Sequence, residues 1–418
     1  MFFVIVISSF LAISSYVFIR GYQALPPVLT LRIIYAVLFA SGFISFFLRM
    51  YLGDRVHERV AVPLSDIGFT FIIALVYFAL IALGVDILRL INYFIKIFPE
   101  IILRNWALSK QILLYGSLLT VFTLLIIGNI NFNNPSVTRY NITTDKKLPG
   151  GEMKIVLASD FHLSSYINAK HLRRYVELIN SQQGDIVALA GDIADRDVRP
   201  LKEQNMGYEL SKLNAKYGVF AVTGNHEFYG GNREEIYELI RGAGISLLLD
   251  SAVHSPFGFV IAGRDDMTNR KRASLDSILA GFDLTLPVIL LDHQPKHLSD
   301  ARLNGIDIQL SGHTHRGQFW PGSILVDAMF DLAYGHRKIE KTDYVVTSGI
   351  GLWGPKFRIG TKSEVVVIEW KELPATTGTT ASESTSSKSS ESTASAESSS
   401  SKTTASKSSG SSSSTREH

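Results

Sequence analysis

Residues 153–162, Met-Lys-Ile-Val-Leu-Ala-Ser-Asp-Phe-His, pass from an apolar, β-branched run straight into Asp160 and His162. The same event recurs further along. Ile186-Val-Ala-Leu-Ala leads into Gly191-Asp192-Ile-Ala-Asp195, and Val219-Phe-Ala-Val-Thr into Gly224-Asn225-His226-Glu227. Val288-Ile-Leu-Leu leads into Asp292-His293, and Ile308-Gln-Leu-Ser into Gly312-His313-Thr-His315. Short, near-continuous apolar runs of this kind are what strands buried on both faces look like. Amphipathic stretches at Ala169–Ser181, Glu234–Arg241 and Ala273–Ala280 separate them, and further runs at Phe259–Ala262, Tyr344–Thr347 and Glu364–Trp370 complete the pattern. The alternation predicts an α/β domain over 151–372. In such sheets ligands bind at the carboxyl ends of the strands, so five ends carrying Asp, Asn and His are expected to converge on one site.

The residue types say what that site holds. Imidazole, carboxylate and amide oxygen suit Mn²⁺, Zn²⁺ or Fe, and a chain with no cysteine has no thiolate nucleophile, disulfide or Cys-rich metal site. The i, i+2 spacing in Asp160-x-His162 and His313-x-His315 puts both side chains on one face of a strand; a turn just past the strand end achieves the same convergence. The ligands suffice for two ions with a carboxylate such as Asp192 between them. Two ions roughly 3.5–4 Å apart activate a shared water and clamp both oxygens of an in-line phosphoryl displacement, so phosphoester hydrolysis is the expected reaction. Asp265 and Asp266 read as turn residues.

This ordered set of motifs resembles the calcineurin-like metallophosphoesterase superfamily over about residues 153–370. The run Gly312-His-Thr-His-Arg-Gly-Gln318 is similar to a branch of membrane-associated bacterial phosphodiesterases and to animal transmembrane proteins with the same domain. The resemblance implies an αββα sandwich of two mixed sheets with metals at one edge. It implies that Asp160, His162, Asp192 and His315 hold a first metal, and that Asp192 bridges to a second completed by Asn225, His293 and His313. It gives His226 the role of acid toward the leaving oxygen, Asp195 that of orienting His226, and a bridging hydroxide that of nucleophile. Mn²⁺ is the first choice of metal, with Fe or Zn²⁺ as alternatives. Arg196 and Arg316 each read either as a phosphate contact or as a surface charge.

Outside this domain the composition changes. The chain of 418 residues is 46% hydrophobic and only 19% charged, below the roughly 25% charge of soluble domains. Residues 1–130 hold four uncharged apolar stretches, Phe2–Ile19, Ile33–Leu48, Ile67–Val85 and Ile112–Gly128, near the roughly 17–25 residues a spanning helix needs. They predict a four-helix transmembrane region and an integral, multi-pass protein of the cell membrane. Ile87–Phe98 reads equally as an amphipathic surface helix or as an extension of the third span. The balance of Lys and Arg in the loops leans toward an extracytoplasmic phosphoesterase domain.

Residues 131–150 read as a linker, and 373–418, rich in Ser and Thr, as a disordered tail. A net charge of +3 gives no ground for a nucleic-acid partner. The expected partners are the bilayer and a phosphoester, with a lipid or cell-envelope phosphodiester favoured over a monoester. The aromatics around Phe319, Trp320, Phe330, Tyr334 and Trp353 read as core of the second sheet or as an apolar rim admitting a lipid-like substrate. The alternative function is a transmembrane sensor or transporter with a regulatory metal-binding domain; spans without interior charge offer no ionisable pathway for it.

Overall fold

The computed structural model describes residues 2–53 and 56–374; the tail from 375 onward, expected to be disordered, lies outside the described residues. Five helices open the chain: α1 (Phe2–Ala24), α2 (Leu29–Leu52), α3 (Glu58–Ile95), the short α4 (Glu100–Arg104) and α5 (Trp106–Asn133). All but α4 are long and apolar enough to cross a membrane. The four expected apolar helices are therefore present, with longer bounds. Ile87–Ile95 continues α3, as an extension rather than a separate surface helix.

Twelve strands follow among the described residues. They are β1 (Ser136–Thr144), β2 (Glu152–Ala158), β3 (Ile186–Ala190), β4 (Val219–Val222), β5 (Ser246–Leu247) and β6 (Ser251–Ser255), then β7 (Phe259–Gly263), β8 (Val288–Leu291), β9 (Ile308–Ser311), β10 (Gly335–Ile339), β11 (Thr342–Val346) and β12 (Glu364–Glu372). One six-stranded sheet runs β1-β12-β2-β3-β4-β5 and the other β10-β11-β9-β8-β7-β6. Both are mixed: β2 to β5 run parallel, as do β7, β8, β9 and β11, whereas β12–β2, β6–β7 and β10–β11 are antiparallel. The inner faces meet in one core through Ile155, Ile186, Val222, Ile261, Ile289 and Leu310. Helices cover the two outer faces, which is the expected αββα sandwich. Burial on both sides explains why the central strands carry almost nothing polar.

The expected linker over 131–150 is a misreading. Helix α5 runs to Asn133, and β1 pairs in parallel with β12 from Ser136↔Glu364 to Thr144↔Glu372. The first sheet thus begins inside the expected linker. One face of β1 is left uncovered, so Arg139 and Asn141 alternate with half-buried or buried neighbours instead of forming an apolar run.

The helices are also seated on the domain. Ile73, Tyr77 and Val121 form one buried cluster with Phe357 and Ile359, and Phe132 is fully buried in the core beneath the first sheet. The Tyr77 hydroxyl donates to the Trp320 carbonyl (2.7 Å), the Asn129 and Asn131 amides donate to the carbonyls of Lys356 and Arg358 (both 3.1 Å), and Arg358 N–H donates to the Gly128 carbonyl (2.8 Å). A Cβ on Gly128 would lie 2.6 Å from Ile359 Cγ1, so this approach requires glycine.

Candidate metal centre

The carboxyl ends of β2, β3, β4, β8 and β9 deliver their motifs to one edge of the sandwich. The loops tie one another down. Asp160 N–H donates to the Gly191 carbonyl, His162 N–H to that of Asp192 (both 3.0 Å), and Gly312 N–H to that of His293 (3.0 Å). His313 N–H donates to both Asp160 carboxylate oxygens (3.1 Å each), and His226 N–H to Asp192 Oδ1 (2.9 Å). Gly224 sits so close that a Cβ would fall 2.1 Å from Asp192 Oδ1.

Asp160, His162, Asp192, His313 and His315 all have positive φ, between 48° and 69°. Left-handed backbone at non-glycine residues costs on the order of 1–3 kcal/mol each and gathers at functional sites. Here it also settles how the i, i+2 pairs converge: by loops past the strand ends, not by one strand face.

Three clusters result, each with its candidate ligand atoms within 4.8 Å of one another: Asp160, His162 and His315; Asp192, His293 and His313; and His162, Asp195 and His226. Asp192 lies between the first two, its Oδ2 being 3.2 Å from His293 Nε2 and 3.7 Å from His162 Nε2. His293 Nδ1 faces the Ala190 carbonyl at 2.7 Å, which leaves Nε2 turned into the site. His226 Nδ1 meets Asp195 Oδ1 at 2.6 Å.

The donor set fits divalent cations. The buried atoms His162 Nδ1, Asn225 Oδ1, His293 Nε2 and His315 Nδ1 have no hydrogen-bond partner, a costly condition unless a ligand completes them. Burial pushes His313 down to about 3. Burial, reinforced by His162 and Arg358, holds His315 well below the usual imidazole range, whereas His162 and His293 are raised against their burial by the surrounding carboxylates, Asp192 and Asp160 among them. Burial alone would raise Asp192, but the charge of His293, with that of His162 and His226, holds it well below the usual carboxylate range. Asp195 is likewise lowered against its burial, by His162 and His226. Every residue expected at the site is thus at this edge.

Two contributors were not read from the sequence. Glu227, fully buried, accepts from the backbone N–H of Asp192 (3.2 Å), Ala194 and Gly224 (both 2.8 Å), joining two motif loops. Its place in Gly224-Asn-His-Glu227 was the available signal. Arg358, also fully buried, donates to the carbonyls of His315 (3.1 Å) and Gly349 (3.2 Å); nothing in its neighbourhood announces that. The turn reading fits Asp266, which accepts from the Thr268 N–H two residues on (2.8 Å), while Asp265 also accepts from the distant Thr223 hydroxyl (2.7 Å). Asp292 is held by Arg272 (3.1 Å) and Arg264 (3.5 Å). Arg196 lies over Tyr229 and Arg316 over Tyr334, at 5.8 and 4.3 Å. Trp320 and Trp353 are exposed, so of the two readings of these aromatics sheet core does not hold for those side chains.

The calcineurin-like phosphoesterase family profile matches residues 153–317. An uncharacterized metallophosphoesterase of Campylobacter jejuni is 32% identical over 276 residues, 64% of this chain and 72% of its own length. One of Aquifex aeolicus is 32% identical over 242 residues, 56% of this chain and 91% of its own. A transmembrane protein with metallophosphoesterase domain of Danio rerio is 31% identical over 274 residues, 61% of this chain and 62% of its own. With the sandwich and the convergent strand ends, these likenesses place the chain among the calcineurin-like metallophosphoesterases, in a form that carries four membrane-length apolar helices ahead of the phosphoesterase domain.

Proposed function

We propose that this protein is a membrane-anchored two-metal phosphodiesterase whose substrates are amphiphiles of the membrane or cell envelope. The observation that carries the reading is the pair of donor triplets with Asp192 between them and the His226–Asp195 pair alongside. Asp160, His162 and His315 would hold one cation, and Asn225, His293 and His313 the other, with Asp192 shared. When bound, two such cations activate water and neutralise phosphoryl charge; Mn²⁺ is the first expectation, Fe or Zn²⁺ the alternatives. His226, its Nδ1 engaged by Asp195, presents Nε2 as the proton donor to the leaving oxygen.

The amphiphile reading rests on the cleft. A cavity of about 430 Å³ is lined on one side by His162, Asp195 and Trp353 and on the other by Phe46, Met50 and Phe69 of α2 and α3. The helix Gly322–Met329, just past the His315 loop, has no buried residue, and Leu325 and Met329 are 67% and 72% exposed. An apolar patch of this kind beside apolar helices suits contact with lipid.

The test is turnover by the full chain in vesicles, with metal added back, on a chromogenic diester, its monoester and a diacyl phosphodiester. Both diesters are expected to turn over faster than the monoester. His226→Ala should lower turnover roughly 10²–10⁴-fold on an alkyl leaving group, and much less on a nitrophenolate, which needs no proton. An equal loss on both leaving groups would remove His226 from the acid role.

We further infer that the phosphoesterase domain faces away from the cytoplasm. The bundle end remote from it carries Arg20, Arg32, Arg89, Lys96, Arg104 and Lys110, and basic loops stay cytoplasmic. The chain has no cysteine, so single replacements report cleanly. In intact cells an impermeant maleimide should label Lys371→Cys and spare Lys96→Cys; the reverse pattern would invert the topology.

A further inference from the structure

At the bundle end remote from the phosphoesterase domain, α1, α3, α4 and α5 enclose a cavity of about 530 Å³, within the range of small-molecule sites. Its walls are apolar, formed by Val17, Phe78, Val85, Leu113 and Leu114, while its polar groups gather at one end. Arg20 and Arg89 both engage Asp86 there, Arg89 at 3.1 Å. The Arg89 guanidinium also lies 5.3 Å from the centre of the Trp106 ring. Lys110 Nζ donates to the Gln23 carbonyl at 3.2 Å and meets no carboxylate among the described residues. Three cations therefore face one carboxylate at the mouth of an otherwise apolar slot.

We propose that this cavity binds an anionic phospholipid, its phosphate at Arg20, Arg89 and Lys110 and its acyl chains along the apolar walls. Charge complementarity selects the head group. A zwitterionic lipid brings its own cation to a mouth already in cationic excess, whereas an anionic one completes it, and basic pockets between membrane helices take such head groups. Trp106, with its ring at the polar end, marks the level of the membrane interface. Depth selects a lipid over a free anion, because the slot continues into side chains that a phosphate ion alone leaves uncovered. The site is independent of the metal centre and does not depend on the proposed hydrolysis.

The test uses the full chain in neutral detergent, with dioleoyl phosphatidylglycerol, dioleoyl phosphatidylcholine or inorganic phosphate added. Bound lipid is read by native mass spectrometry and stability by thermal unfolding. Phosphatidylglycerol is expected to remain bound at about one per chain and to raise the unfolding temperature by about 5 °C over phosphatidylcholine. Arg89→Gln with Lys110→Gln should abolish that difference and leave turnover of a chromogenic diester unchanged. If the double variant does not fold, Lys110→Gln alone should weaken retention at least tenfold, since among the described residues Lys110 Nζ donates to the Gln23 carbonyl and pairs with no carboxylate. Lys96→Gln with Arg104→Gln, exposed charges outside the cavity, should change nothing. Equal stabilisation by both lipids, an equal loss in that control pair, or the same shift with inorganic phosphate would each overturn the proposal.

Discussion

Asp192→Asn is expected to remove metal-dependent turnover almost completely while leaving the fold intact. Asp192 is the side chain that reaches both donor triplets, with Oδ2 near His293 and His162 and Oδ1 accepting from His226 N–H. The amide has one acceptor oxygen in place of two and no charge, so on the proposed reading it cannot serve two cations together. Changing a supporting partner of a metal ligand typically costs 10–100-fold in affinity, and a shared carboxylate should exceed about 100-fold for the weaker ion. Turnover should fall beyond the roughly 10²–10³-fold of losing a single charge-stabilising contact. The loops themselves are held by Glu227 and by backbone bonds, so the metal-free unfolding temperature should move little. Metal analysis on the purified variant should read one ion per chain against two. Two ions with wild-type turnover would refute the bridging role.

The same loops show what the sequence could reveal. Strands buried on both faces admit only apolar side chains, so the step from Leu291 to Asp292-His293, or from Ser311 to Gly312-His313, stands out as a boundary. Five such boundaries pointed to the sheet edge where the candidate ligands gather. The i, i+2 spacings alone left strand face and turn open, and only the positive φ at Asp160, His162, His313 and His315 decides for the turn. Arg358 acts on the backbone of a distant loop, and such a partner leaves no residue pattern to read, whereas Glu227 was marked only by its place at the end of Gly224-Asn-His-Glu227. The strands not read from the sequence, β1, β5, β6 and β10, are the four sheet edges. Half their side chains meet water, as in Gly335–Ile339 with His336, Arg337 and Lys338 exposed, and their signal is that of a polar loop.

A truncated chain of residues 150–372 is expected not to fold, although the sequence alone marks it as the domain. The cut removes β1 and its nine residue pairs with β12. It takes away Ile142 and Phe132, both buried in the sheet cores, each worth roughly 1.5–3 kcal/mol of burial. It also uncovers Phe357 and Ile359, which α3 and α5 otherwise cover. Several such losses approach the whole 5–15 kcal/mol by which a typical protein is stable. The damage reaches the metal edge by a short route. Asn129, Asn131 and Gly128 fix the strap carrying Lys356 and Arg358, and the Arg358 guanidinium holds the His315 carbonyl. A chain of residues 134–373 restores β1 but not the strap. It should therefore regain secondary structure by circular dichroism, with weaker metal retention and without the α2–α3 wall of the cleft. Its turnover of a lipid diester should fall further than that of a small chromogenic one. Monomeric, fully active 150–372 would mean that the helices are only a tether, and the cleft wall they form would then have no part in substrate choice.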